Sequence, residues 1–468
     1  MATEQRAARA MRVYALDPRT LSQEQIAVTF AMTSRSPEAF DAIAKVVSEA
    51  KAADFNEKWV VGYGHASVAE HAVLHMAVED LSRLAADELE DNRLASYTEK
   101  SSRYQVLDRG SYHVPAELRG HRLERQYIET CDYLFDVYHD LLERTQAWLR
   151  SQNPQGANEK DGAYRLRIRR IATDHCRFVL PASTLTNVGM TLNARSLEHA
   201  ITKLLSHELA ECRDLGERLK VQGRMIAPTL VKYVNRSAYL AETRTALQGY
   251  AGVRAVSASG GPSQVRARLV WHDAEAERTL AAAVLYRLGS MAYADAERRI
   301  REMSVAERER LIGDALTRLG PFDVPLRELE MVTYRFELEM DYGAYREYKR
   351  HRMQTYLPQR LTTEHGYILP PLVADAGAAS LYEEAMDRVA RVQAALAEEI
   401  SSAVAEHVVT HAHNRRLLVS INLREAYHLF KLRSAENAHF TIRELSRQAL
   451  EEIKRVHPLL ISFIKLRE

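Results

Sequence analysis

Several short stretches of the chain combine residue types that could bind or transform an anionic ligand. Gly64-His-Ala-Ser-Val-Ala-Glu-His71 places His65, Ser67 and Glu70 in a glycine-led turn. Exposed backbone N–H groups at such a turn suit an anion; as a plain loop, its histidines would be surface residues. Ser96-Tyr-Thr-Glu-Lys-Ser-Ser-Arg-Tyr104 packs a carboxylate, hydroxyls and a guanidinium into one short segment. Glu99 could accept from the N–H of a base, and Ser101 with Arg103 could hold a phosphate through the forked guanidinium donor; the alternative is a solvated turn. In Arg177-Phe-Val-Leu-Pro181, Arg177 precedes an apolar run and is a candidate phosphate ligand, although an isolated arginine is more often a surface charge. Lys349-Arg-His-Arg352 gathers cations that suit the phosphates of a nucleotide or dinucleotide cofactor, or simply a solvated face.

Two further stretches, Asn193-Ala-Arg195 and Asn422-Leu-Arg424, each open a long helical pattern, where the asparagine could be only an N-cap. Arg424 and Arg433 are nine residues apart. That is about two and a half helical turns, so the two arginines face opposite ways and make separate contacts. His407, His411 and His413 include an i, i+4 pair that could bind a metal. No HExxH pattern accompanies them, and no metal site is predicted.

These residues need elements to position them. Apolar residues recur at helical spacing over Leu118–Trp148, Leu197–Leu219, Ser380–Val408 and Ala438–Ile453. Shorter apolar runs at Val73–Val78 and Val332–Leu338 read as strands, and Arg12–Leu16 and Arg266–Trp271 also read as extended. The expected class is α+β, helix-rich. Ser257-Ala-Ser-Gly-Gly-Pro-Ser263 reads as a flexible linker.

An internal repeat flanks that linker. Asp91-Asn-Arg-Leu-Ala-Ser-Tyr97 and Arg350-His-Arg-Met-Gln-Thr-Tyr356 come early in each half, and the two Asn-x-Arg stretches come late. The late pair is offset by 424 − 195 = 229 residues and the early pair by 352 − 93 = 259. The first half is thus longer between its signposts, and the polar stretch Gln152–Gly162 could be part of the insertion. Two matches in the same order argue for a duplicated domain, 1–250 followed by 251–468.

Composition narrows the function classes. The 468 residues carry a net charge of +1, which argues against a nucleic-acid-binding field. The three cysteines, Cys131, Cys176 and Cys212, are far apart, which disfavours a disulfide framework and fits a reducing cytoplasm. No stretch reaches the apolar length of a membrane span, and the first residues lack a signal-peptide core.

The motifs in combination resemble the flavin-dependent thymidylate synthases, the ThyX family. Gly64–His71 looks like the family's first motif. Asp91–Tyr104 looks like its signature, usually an Arg-His-Arg followed by a nucleotide-binding E-x-S-x-R-Y. Arg177–Pro181 and Asn193–Leu197 resemble later motifs. The second half keeps Arg350-His-Arg352, Asn422-Leu-Arg424 and Arg433.

The departures are complementary. In the first half Arg-His-Arg becomes Asp91-Asn92-Arg93, and an arginine of the late helix becomes Leu204. In the second half the nucleotide signature becomes Pro358, Arg360 and Thr362, and the Gly-His motif becomes Gly320-Pro-Phe-Asp.

The resemblance implies two ThyX-like domains in tandem, each a small mostly antiparallel sheet packed with long helices. It implies FAD as cofactor, NADPH and methylenetetrahydrofolate as co-substrates, and reductive methylation of a pyrimidine nucleotide, dUMP to dTMP. His65, Arg103 and Arg352 would serve catalysis. Ser67, Glu70, Asn193, Arg195, Arg350, His351, Arg352, Asn422 and Arg424 would hold the cofactor. Glu99, Ser101, Arg103, Arg177 and Arg433 would hold the nucleotide. The site would be a composite of the two halves, and a homodimer would imitate the family's tetramer. The alternatives are a flavoenzyme acting on a different pyrimidine nucleotide, and a nucleotide-binding homologue that has lost flavin and catalysis.

Overall fold

A computed structural model describes residues 11–251 and 260–466. Of the linker Ser257–Ser263, residues 257–259 lie outside the described residues. Its end is anchored rather than free: the Gly260 N–H donates to the Thr363 carbonyl at 3.0 Å and the Ser263 N–H to that of Tyr367 at 2.8 Å.

The chain is helix-rich, with two small sheets. The first contains β1 (Val73–Ser82), β2 (Ala95–Glu99) and β3 (Leu185–Asn193) in the order β1-β3-β2, with β2 antiparallel to β3. The second contains β4 (Arg266–His272), β5 (Thr333–Asp341), β6 (Gln354–Pro358) and β7 (Asn414–Asn422) in the order β4-β5-β7-β6, antiparallel throughout.

The sequence readings hold at Val73, Val332 and Arg266. Arg12–Leu16 joins no ladder; Arg12 and Tyr14 instead bind the carboxylate of Asp41. The pattern over Leu197–Leu219 is two helices, Ala194–Leu205 and Ala210–Ile226. They break where the Ser206 hydroxyl folds back onto the Thr202 carbonyl and the Leu209 N–H bonds the His207 ring. The expected helix over Ser380–Val408 ends at Glu399 and is followed by two short turns.

The chain forms two compact units. One comprises residues 11–79, 88–99 and 187–251; the other comprises 80–87, 100–186 and 260–466. The second unit holds the longest helix, Leu123–Gln152, which buries Leu134, Val137, Tyr138 and Leu141 on one face as its spacing predicts.

Duplication is visible bond by bond. Asn193 caps the helix Ala194–Leu205 by accepting from Ser196, and Asn422 caps Leu423–Arg433 by accepting from Glu425. The buried Tyr127 hydroxyl donates to the His113 carbonyl at 2.7 Å, and that of Tyr382 to the Ile368 carbonyl at 2.9 Å. The extra length of the first repeat also becomes concrete. Where the second repeat has Ala379–Glu399 and the one-turn helix Ser402–Ala405, the first has Leu123–Gln152 and Asp161–Cys176 joined through the polar turn around Gly156.

In the second unit the two copies meet around a local pseudo-twofold axis. The Ala182 N–H donates to the Val409 carbonyl at 2.8 Å, and the equivalent His411 N–H to Leu180 at 2.9 Å. The Ser183 N–H donates to His407 and the Ala412 N–H to Phe178, both at 2.9 Å. Pro181 bridges Thr410, its own counterpart, on the axis. Each strand is locked from behind in the same way. Arg83 and Leu84 donate to Thr184 and Ala182, as Tyr342 and Gly343 donate to His413 and His411. These segments are buried, so every one of these backbone groups needs its partner.

Because Tyr127 and Tyr382 are equivalent, Tyr127→Phe and Tyr382→Phe should destabilise the protein to a similar extent. Each loses one hydrogen bond from a buried hydroxyl to a backbone carbonyl, at a cost of about 1–2 kcal/mol. Urea unfolding checks this, and a large effect at only one of the two positions would contradict structural equivalence.

Candidate functional site

The second unit contains a cavity of about 940 Å3 lined by Arg103, Arg167, Arg170, Arg433 and Arg443, with Asp174, Glu347 and Glu436 as the acids. Guanidinium groups outnumber carboxylates, so the cavity suits an anion. Arg103 comes from the turn after β2, and Arg433 is the last residue of the helix Leu423–Arg433. Two of the arginines predicted from opposite ends of the sequence therefore line one pocket.

The cations are held in fixed positions. Arg103 grips Asp174 with two bonds, at 2.9 and 3.0 Å. Arg177 lies buried behind them, 3.0 Å from the same carboxylate, and donates to the Ser102 hydroxyl at 3.2 Å. Arg433 donates to the Glu347 carboxylate and carbonyl, each at 3.1 Å, and to the ring of His351 at 3.0 Å. The Ser101 hydroxyl accepts from the Arg103 N–H at 3.2 Å, which shapes the turn. A flat wall adds to the charge: the His175 and Phe440 rings stack 5.0 Å apart at 8°. Burial pushes the His175 imidazolium down to about 4, so this wall is neutral at pH 7. A nucleotide base could stack on it while the arginines take the phosphate. Sequence reasoning missed Asp174, Glu347, Arg170 and Phe440; the cation–π contact of Arg170 with Tyr104, at 4.6 Å, has no local sequence signal.

The other predicted residues go elsewhere. Glu99 ends β2 in the first unit, opposite Val188. His65, Ser67 and Glu70 lie in exposed turns of that unit. Glu70 there forms an ion pair with Arg195, so these two predicted cofactor ligands hold each other. Asp91 binds Lys203 at 3.1 Å.

In the second unit, Arg424 is separate from Arg433, as the helical spacing requires. It binds Glu330 and donates to the Pro325 carbonyl at 2.9 Å. With Asn422 it lines a second cavity of about 540 Å3, whose walls include Phe322, Met353, Tyr427, Lys431 and Lys465. Arg350 is exposed and Arg352 half-buried, and neither lines these two cavities. Lys349 is buried and forms an ion pair with Asp87, which also binds Arg415 at 3.1 Å, so it is structural. His411 and His413 are buried, and burial pushes His413 down to about 3. His413 bonds Thr410 and His411 packs edge-on to Tyr342; they do not converge with His407 on one point.

The nucleotide signature has decayed at its second-repeat position. Glu406 stands where Arg177 stands in the first repeat. Its carboxylate accepts from Arg360 at 2.9 Å and from the Leu361 N–H at 3.0 Å. An internal carboxylate thus occupies the local cation and N–H donors.

Burial alone would raise the Asp174 carboxyl, but Arg177, His439 and Arg103 hold it below the usual aspartate range. Its ionised form therefore contributes stability that is full above about pH 3.9 and is lost as pH falls through the lower folded value. Asp174→Asn should destabilise by about 3 kcal/mol at pH 7, because two guanidinium groups lose their counter-charge. The gap to wild type should narrow below about pH 4. Urea unfolding across pH measures this, and a gap independent of pH would contradict the assignment.

No helix among the described residues is long and apolar enough to cross a membrane. A family model described as "Thymidylate synthase complementing protein" matches the chain twice, over residues 17–229 and 268–459. A UPF0159 protein of Chlamydia muridarum is 30% identical, covering 89% of this chain and 81% of the relative. A UPF0159 protein of Thermoplasma acidophilum is 30% identical, covering 89% of each. The flavin-dependent thymidylate synthase of Clostridium tetani is 27% identical over 46% of this chain and 83% of its own length, as expected if it corresponds to one repeat. The chain is a tandemly repeated member of the thymidylate synthase complementing protein family.

Proposed function

We propose that the protein is a flavin-dependent thymidylate synthase-like enzyme that reductively methylates a pyrimidine nucleotide, converting dUMP to dTMP. The observation that carries this reading is the convergence of Arg103 and Arg433, one from each repeat, on a single cationic pocket beside a stacked aromatic wall. Arg103 and Arg433, with Arg177 behind them, fit a nucleotide phosphate. The repeats would run over 1–250 and 251–468. The internal pseudo-twofold pairing supports a dimer of this chain acting as a pseudo-tetramer, because one interface of a four-domain assembly is already within the chain.

The residues of the second cavity fit a flavin. Arg424, Lys431 and Lys465 offer charge to a pyrophosphate beside the carboxylates of Asp323, Glu330 and Glu425, and Phe322, Met353 and Tyr427 offer apolar surface to a ring system. Asn422 and Arg424 would hold it, with Arg350 and Arg352 as outer cations. Bound FAD supplies hydride for the reduction, with NADPH and methylenetetrahydrofolate as co-substrates. The chain's own task is to hold the nucleotide through fixed arginines and to stabilise charge that develops on the pyrimidine. No cysteine is needed, and burial pushes the Cys131 and Cys176 thiols up to about 12, far from nucleophilic use.

The purified protein should take up FAD, show a flavin spectrum that dUMP perturbs, and form dTMP when methylenetetrahydrofolate and NADPH are supplied. Arg103→Ala should raise the KM for dUMP by about tenfold or more, the worth of a charge-assisted hydrogen bond. Flavin uptake without dTMP formation would point to a different nucleotide. No flavin uptake would leave a nucleotide-binding homologue without redox chemistry.

A further inference from the structure

The anion pocket has an extension that the nucleotide motifs do not explain. Arg433 donates through Nε to Nε2 of His351 at 3.0 Å, and Nδ1 of His351 lies 2.8 Å from the Glu425 carboxylate. An Nε2 that accepts from a guanidinium carries no proton, so the neutral ring must carry its proton on Nδ1 and donate it to Glu425. Glu425 and His351 are both buried. Burial holds His351 below the ordinary histidine range, against the opposing pull of Glu425.

The network thus runs carboxylate, neutral imidazole, guanidinium. It meets the anion pocket only at Arg433, whose three bonds to His351 and Glu347 use three of its five N–H groups, while Glu425 at its far end also borders the second cavity. We propose that Glu425 is a positioning residue, which fixes the His351 tautomer and through it aims Arg433 into the anion pocket; the proposal rests on the nucleotide reading above.

The duplication supplies a comparison within the chain. At the offsets of 229 and 259, Glu425, His351 and Arg433 correspond to Ser196, Asn92 and Leu204. All three members are absent from the first repeat together. Asn92 there turns to the Leu89 carbonyl, and Leu204 is buried among apolar residues. The asparagine cap at the head of the same helix survives in both copies. The repeat therefore folds without the relay, and the relay is present only where its arginine lines the pocket.

His428 stands near the same group, with ligand atoms of His351, Glu425 and His428 within 4.8 Å of one another. A metal there would need the lone pair of Nδ1, which the bond from Arg433 to Nε2 turns into an N–H. The geometry favours positioning over metal binding.

The test is calorimetric titration of the full-length protein with inorganic phosphate and with dUMP. Arg433→Ala, Glu425→Ala and His351→Leu should each weaken phosphate binding, the last two by about tenfold. The double variant Glu425→Ala/His351→Leu should be no weaker than either single one, because both break one relay. His351→Gln and Glu425→Gln should restore binding to within a few-fold, since a glutamine amide can bridge Glu425 and Arg433 or accept from Nδ1.

Unchanged phosphate affinity in Glu425→Ala, while Arg433→Ala loses it, would overturn this proposal alone. Multiplied losses in the double variant would do the same. Wild-type affinity in Arg433→Ala would overturn the pocket reading and this proposal with it. Tight phosphate but no dUMP binding in the wild-type protein would limit the failure to the nucleotide reading, and the variant series would still decide the relay.

Discussion

The second unit depends on four backbone hydrogen bonds between residues 178–183 and their own copies at 407–412. Each bond contributes only about 1 kcal/mol net, but leaving its groups buried and unpaired would cost more. The pairing therefore commits both repeats to one arrangement. The bond from Ser183 to His407 draws the turn Glu406–Val408 against the first repeat, and the bond from Ala412 to Phe178 does the same for Arg177–Val179. Arg177, the residue behind the pocket's cations, is thus placed by the pseudo-symmetric seam itself.

A symmetric seam leads to two equivalent positions, and the sequence has made them unequal. Around Arg103 the first repeat keeps its serine, arginines and Asp174. At the corresponding place the second repeat carries Thr362 and Glu406, and Glu406 turns inward onto Arg360. Nearby, Asp87, Lys349 and Arg415 form a buried ionic cluster in which the two cations overcome the effect of burial on Asp87. Such a cluster is costly to break and contributes little beyond a well-packed apolar equivalent. It is a structural use of charge, buried within the fold. Duplication permits this, because one repeat can lose a function the other retains.

Much of this was legible in the sequence, and what was missed has physical causes. The class, the repeat and the offsets of 229 and 259 followed from motif order, and the structure reproduces both offsets in its capping asparagines and strands. Type and context single out Arg103, Arg177 and Arg433, and the structure brings Arg103 and Arg433 to one cavity with Arg177 behind them. Strand β3 lies outside the expected strands, although its alternating burial at Thr186, Val188, Met190 and Leu192 has the period of a strand. Strands β2 and β6, each five residues long, carry too little pattern to read alone. Asp174, Glu347 and Phe440 reach the pocket only through tertiary packing, and the role of Lys349 depends on Asp87, some 260 residues away. A count of cations cannot separate a buried ion pair from a ligand site.

The most direct test of the account is the stoichiometry of dUMP binding to the FAD-supplemented protein, by equilibrium dialysis, in wild type and in Arg103→Ala and Arg433→Ala. The account predicts one nucleotide per chain, lost or severely weakened by either substitution, because one site draws an arginine from each repeat. Two nucleotides per chain, or a site that needs only one of these arginines, would contradict it.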